Sequence, residues 1–164
     1  MELIFPLGIF PIGKVHSMAA TLDRVPAHTS ASVNRKIEAQ IAENVQRYGS
    51  RPEQIPSRLS ELAKEWDIER AIEANASALA FTGVALGFFL HPYWLILPAL
   101  ITGFLFQHAI QGWCPPIPVL RRMGFRTAHE IETERNALKA IRGDYQGASQ
   151  AADKPAAALK AAQL

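Results

Sequence analysis

Residues 74–120 read ANASALAFTGVALGFFLHPYWLILPALITGFLFQHAIQGWCPPIPVL, and these 47 consecutive positions hold no Asp, Glu, Lys or Arg. Glu73 and Arg121 bound the run. One transmembrane helix needs roughly 20 mainly apolar residues, and apolar helices inside soluble domains are shorter. A run this long, broken near its middle, has room for two spans. The break is His91-Pro92. The residue before a proline is pushed out of the α region, and proline suits the first turn of a new helix. The expected fold is therefore all-α: a membrane helical hairpin over 74–113, with transmembrane helices at 74–90 and 92–111. Tyr93 and Trp94 fall just past the tip and Trp113 at the far end, where aromatic rings favour the bilayer interface. Pro98 sits inside the second span, frees the Trp94 carbonyl and predicts a bend.

Whole-chain averages conceal this run. Mean hydropathy is +0.03 and hydrophobic content 49%, values typical of a soluble domain. The net charge of +2 over 164 residues, with basic and acidic residues interspersed and no aromatic ladder beside them, argues against nucleic acid as a partner. Cys114 is the single cysteine, which excludes an intramolecular disulfide and any CxxC zinc or redox motif. No motif implies a cofactor. Met1–Gly13 is apolar, but Glu2, Pro6 and Pro11 interrupt it, and its nearest cation, Lys14, follows rather than precedes it. That order is wrong for a cleaved signal peptide. Residues 1–31 are expected to be disordered or partly mis-annotated, with Met18 as an alternative start.

The flanks read as amphipathic helices. Over 32–73, Val33, Ile37, Ile41, Val45 and Tyr48 recur at helical spacing, Gly49 is a stop, and Pro52 and Pro56 mark a turn over 50–57. A second helix follows, with Leu59, Leu62, Ala63 and Trp66 on one face. Asp67 either caps a new helix or lies within a continuing one. Over 114–145, Cys114-Pro115-Pro116-Ile117-Pro118 ends the second span and forces an exit. Thr127 and Glu130 then form a capping box for a helix over 128–142 that stops at Gly143. The apolar stripe of that helix is Ile131, Leu138 and Ile141. Residues 146–164 are alanine-rich and expected to be disordered or frayed.

Charge sets the expected topology. Lys64 and Arg70 precede the first span, Arg121, Arg122 and Arg126 follow the second, and the tip is uncharged. The positive-inside rule then places both termini in the cytoplasm. Small residues mark candidate association faces: Gly83 and Gly87 in the first span, Ala99 and Gly103 in the second. They serve contacts within the hairpin or between protomers of a homo-oligomer. Asn75, Gln107, His108, Gln111, Cys114, Arg121 and Arg122 gather near the cytoplasmic ends and form the candidate polar or reactive cluster. His91 and His108 are ~25 Å apart along one span at ~1.5 Å per residue, so they share no metal. Nearby arginines would favour a Cys114 thiolate, whereas the plainer reading of Cys114 is a small buried apolar side chain.

Asp67-Ile-Glu-Arg-Ala-Ile-Glu-Ala-Asn-Ala76, two glycine-containing spans and Gly112-Trp-Cys-Pro-Pro-Ile-Pro-Val-Leu-Arg-Arg-Met-Gly124 together resemble the YgaP-like inner-membrane transmembrane domain family. Gly112, Cys114, Pro115 and Gly124 match its Cys-Pro exit, and the resemblance covers about residues 60 to 145. It implies a bacterial inner-membrane (cytoplasmic-membrane) two-helix hairpin that forms a homodimer. Some members carry a rhodanese domain handling sulfane sulfur, for which this sequence offers only Cys114.

Three functions follow as expectations. The first is a non-enzymatic hairpin that oligomerises in the bilayer and presents its cytoplasmic helices to a membrane protein partner. The second is an oligomeric conduit for a small anion or sulfur species, with Arg121 and Arg122 at its inner mouth and Gln107, His108 and Gln111 lining it. The third is a sulfur relay through Cys114.

Overall fold

A computed structural model describes residues 24–147, 151 and 153–163, and every regular element among them is helical. In chain order these are α1 (Arg24–Ala27), α2 (Ala31–Gly49), α3 (Ile55–Leu62), α4 (Ile68–Phe89), α5 (Ile96–Gln111), α6 (Ile117–Met123), α7 (Ala128–Arg142) and α8 (Lys154–Gln163). Short 3-10 turns, Pro52–Gln54 and Pro92–Leu95, lead into α3 and α5. The expectations about Met18 and a signal peptide lie outside the described residues.

The long helices α4 and α5 pack antiparallel, joined only by Leu90, His91 and the 3-10 turn. The tip follows the proline logic. His91 is extended, its Nδ1 accepts from the Tyr93 amide at 3.2 Å, and Pro92 opens the turn. Because Pro92–Leu95 absorbs the change of direction, Pro98 becomes the third residue of α5. An amide there has no intrahelical acceptor, so proline removes no α-helical hydrogen bond and the ground for a mid-span bend falls away.

Beneath the hairpin, two apolar clusters form a helical base. Val25, Ile68, Ile72, Cys114 and Ile117 join α1, α6 and the foot of α4. Ile55, Leu62, Ile131 and Leu138 join α3 to α7, with Tyr48 of α2 packed against them. Asp67 caps α4, accepting from the Arg70 amide at 2.6 Å, so α3 and α4 are separate helices. Pro56 falls in the first turn of α3, which is why that helix begins at Ile55 inside the expected turn.

Three other segments are more ordered than their composition suggests. Arg24–Ala27 forms α1 within the expected N-terminal disorder. Ile117–Met123 forms α6 directly after the Cys-Pro exit, with Pro116 as its N-cap and Pro118 in its first turn. Lys154–Gln163 forms α8 in the tail, where alanine supplies strong helix propensity.

A buried ionic network ties the base together. Glu134 is 0% exposed and sits between Ile131 and Leu138 on the inward face of α7. It accepts from Arg126 Nη1 at 2.5 Å and from Arg58 Nε at 2.8 Å. The other side of the Arg126 fork donates to Glu65 at 2.7 and 2.6 Å. Arg126 O also accepts the first amide of α4, that of Ile68, at 2.8 Å. Glu130 completes the Thr127 capping box, taking the Thr127 amide at 2.8 Å, and receives both Nη atoms of Arg121 at 2.6 and 2.8 Å.

Burial raises the carboxyls of Glu130 and Glu134, but their arginine hydrogen bonds outweigh it and hold both below their ordinary values. A carboxylate depressed in the folded state stabilises it above the unfolded value, about 4.3, and that contribution is lost as pH falls through the folded value. Thermal melts should therefore change little near neutral pH and drop below about pH 4. Glu134→Gln should flatten that acid slope, and Glu134→Ala, which takes the buried acceptor from Arg126 Nη1 and Arg58 Nε while each arginine keeps a second carboxylate, should cost about 3–5 kcal/mol by chemical denaturation.

Candidate functional site

The small residues of the hairpin divide into two sets. A Cβ built on Gly83 would lie 2.6 Å from Pro98 Cδ, and one on Gly87 would lie 2.6 Å from Leu95 Cδ2. These glycines are therefore consumed by the contact between α4 and α5. Gly103 meets nothing within 4 Å, and Ala99 is exposed on the same outward side of α5. Glycine lets helix backbones approach closely, so the intramolecular pair explains how two slim helices hold together along the half nearest the tip.

Near the base, α4, α5 and α6 enclose an apolar groove of about 520 Å³. Asn75, Leu79, Phe104, Cys114, Val119 and Leu120 line it. Of the expected polar cluster, only Asn75 and Cys114 reach this wall. Asn75 is spent on its own helix, donating from Nδ2 to the Ala71 carbonyl at 2.7 Å. Cys114 is 2% exposed and belongs to the base core. Burial pushes its thiol above the ordinary value, opposed by the Ile117 amide. A protonated, enclosed thiol is a poor nucleophile.

Gln107 and Gln111 share a face of α5, 3.5 Å apart through Nε2 and Oε1, as their spacing implies. His108 Nδ1 is buried without a hydrogen-bond partner. The end of α5 docks on α1: Arg24 Nη1 donates to the Ala109 carbonyl at 2.6 Å, and His28 Nε2 lies 3.0 Å from the Gln111 carbonyl. Gly112 closes the helix in the left-handed region, φ +73°, with α1 so near that an added Cβ would sit 2.3 Å from Arg24 Cβ.

The two arginines expected at one mouth part company. Arg121 is 1% exposed and turned inward, clasping Glu130 and donating to Asn34 Oδ1 at 3.0 Å and to the Phe125 carbonyl at 3.2 Å. It is a structural cation paired with a carboxylate and offers no charge at an exposed mouth. Arg122 is exposed on α6. The cluster is thus three places: a groove, the α1-facing end of α5, and α6.

Sequence reading passed over Asn34, Arg58, Glu65 and Glu134. The usable signal was Glu134 itself, a carboxylate three residues after Ile131 and four before Leu138 on an apolar stripe. Ile141, assigned to that stripe, is instead 46% exposed.

No protein-family model, curated protein or solved structure matches this chain.

Maleimide should label native Cys114 at least about tenfold more slowly than the chain in denaturant, in keeping with an enclosed, protonated thiol. Gly83→Ala and Gly87→Ala should each destabilise the hairpin by about 1–3 kcal/mol through overpacking, while Gly103→Ala should be close to neutral. Denaturant titration of the purified protein reads all three.

Proposed function

We propose that this is a small, non-enzymatic inner-membrane protein. Its α4–α5 hairpin spans the bilayer and associates with other hairpins, and its helical base presents a cytoplasmic surface to a membrane protein partner. One observation carries the reading. Ile68–Phe89 and Pro92–Gln111 are long and apolar enough to cross a membrane, yet only 17% and 0% of their most apolar windows are buried. An apolar helix in the core of a soluble protein would be covered.

Here Phe81, Phe88, Phe89, Leu100 and Phe106 face outward, Phe88 at 81% exposed and Phe106 at 69%. Leaving each such side chain in water forgoes about 1.5–3 kcal/mol, so some apolar medium must cover them. Lipid suits this pattern because the exposed apolar surface surrounds both helices while the charged side chains lie in the base. Oligomerisation is supported by the outward pair Ala99 and Gly103, which the hairpin leaves unused. The cytoplasmic placement of both termini is supported by the uncharged tip and the arginines flanking the hairpin.

Alkaline carbonate washing of membranes from expressing cells should leave the protein in the pellet; quantitative release would overturn the membrane reading. In a Cys114→Ser background, Gly103→Cys should give a disulfide-linked dimer in native membranes and Gly83→Cys should not. A monomeric Gly103→Cys protein would remove the proposed association face.

A further inference from the structure

No charged residue lines the groove of about 520 Å³ between α4, α5 and α6. Its polar side chains are Asn75, whose amide donates to the Ala71 carbonyl, and the buried Cys114. Leu79 on α4 and Val119 on α6 are 53% and 58% exposed, so the walls stand open. A polar group entering such a recess would shed its water and gain no partner. The groove therefore suits an apolar occupant.

The described chain enters the fold at the lower end of this groove. Val25 of α1 shares a buried cluster with Ile72 and Cys114, which are both groove residues. Arg24 is held at the same end, through its hydrogen bond to the Ala109 carbonyl and its close approach to Gly112. Residues 1–23 precede this anchor and lie outside the described residues. Within them, Leu3 to Gly13 carry no charge and are mostly Leu, Ile and Phe. A transmembrane helix needs roughly 20 mainly apolar residues. This stretch is too short for that, and Pro6 and Pro11 interrupt it.

The tether is long enough. Residues 14–23 reach up to about 35 Å when extended, at ~3.3–3.6 Å per residue. From Ile72 to Leu79 the groove runs only about 10 Å along α4, at ~1.5 Å per residue. A short flexible tether also holds its end at an effective concentration on the order of mM.

We propose that residues 3–12 of the same chain occupy this groove, their Leu, Ile and Phe side chains packing against Leu79, Phe104 and Val119. Attachment at the groove's own apolar cluster favours this segment over a second copy or a free lipid chain. The proposal does not rest on the membrane reading, because it concerns one recess at the foot of the hairpin and not the medium around α4 and α5.

The test uses the full-length protein purified in detergent, with Phe10 replaced by the photo-crosslinker benzoylphenylalanine. After irradiation, mass spectrometry maps the adducts, and a mixture of isotope-labelled and unlabelled protein separates crosslinks within a chain from those between chains. Adducts to Leu79, Phe104 or Val119 of the same chain support the proposal. Ala76→Trp, which places an indole in the groove wall, should abolish them while circular dichroism stays unchanged. In a Cys114→Ser background, Leu79→Cys should react with maleimide several-fold faster once residues 2–13 are deleted.

Crosslinks only between chains would assign the groove to a second copy, and adducts only to detergent or co-purified lipid would assign it to a lipid chain. Either result would overturn the proposal, as would same-chain adducts undiminished in Ala76→Trp. So would a native protein whose intact mass begins at Met18.

Discussion

The two-sided grip of Arg126 holds the base in its arrangement. One guanidinium joins Glu65, in the segment between α3 and α4, to Glu134 in the middle of α7, while the backbone carbonyl of the same residue receives the first amide of α4. The hairpin is thereby fixed to the base at its root. With Arg58 added, two cations share three carboxylates, Glu61, Glu65 and Glu134. A buried ion pair contributes little net stability compared with an apolar replacement, but breaking one half is costly. Such a network favours one register of α3 on α7 over others that would bury the same leucines and isoleucines.

What the chain reveals in one dimension follows from the range of each interaction. The hairpin break at His91-Pro92, the Thr127–Glu130 capping box and the stops at Gly49 and Gly143 are local, set by residues within one turn, and the helices begin and end accordingly. The ionic network is not local: Arg58 and Glu134 are 76 residues apart, and Arg126 and Glu65 are 61 apart. Nothing near Arg121 or Arg126 in sequence distinguishes a surface arginine from a buried one, so both read as flanking charges. Cys114 shows the same limit, because its burial depends on Ile68 and Ile72 from a distant turn of α4.

Glycine spacing carried a comparable ambiguity. The motif at Gly83 and Gly87 and the small pair at Ala99 and Gly103 look alike as patterns, yet only the first faces a neighbouring helix of the same chain. The deciding fact is the rotation of α5 about its axis, set by the 3-10 turn Pro92–Leu95. That turn aims Leu95, Leu97 and Pro98 at α4 and leaves Gly103 on the opposite side. A four-residue change of helical pitch at the tip thus determines which half of the small-residue surface is available to anything else.

The brevity of that tip bears on how such a protein is made. Moving a charged loop through hydrocarbon is among the largest costs of inserting a hairpin, because each ionic group must shed its water. Here the connection is Leu90, His91 and a proline-led turn, and its polar atoms are partly satisfied internally by His91 and the Tyr93 amide. A hairpin closed through Gly83 and Gly87 carries almost no polar freight at its tip. On the membrane reading proposed above, such a hairpin would enter a bilayer as a preassembled wedge, with its ionic base left behind as the stop.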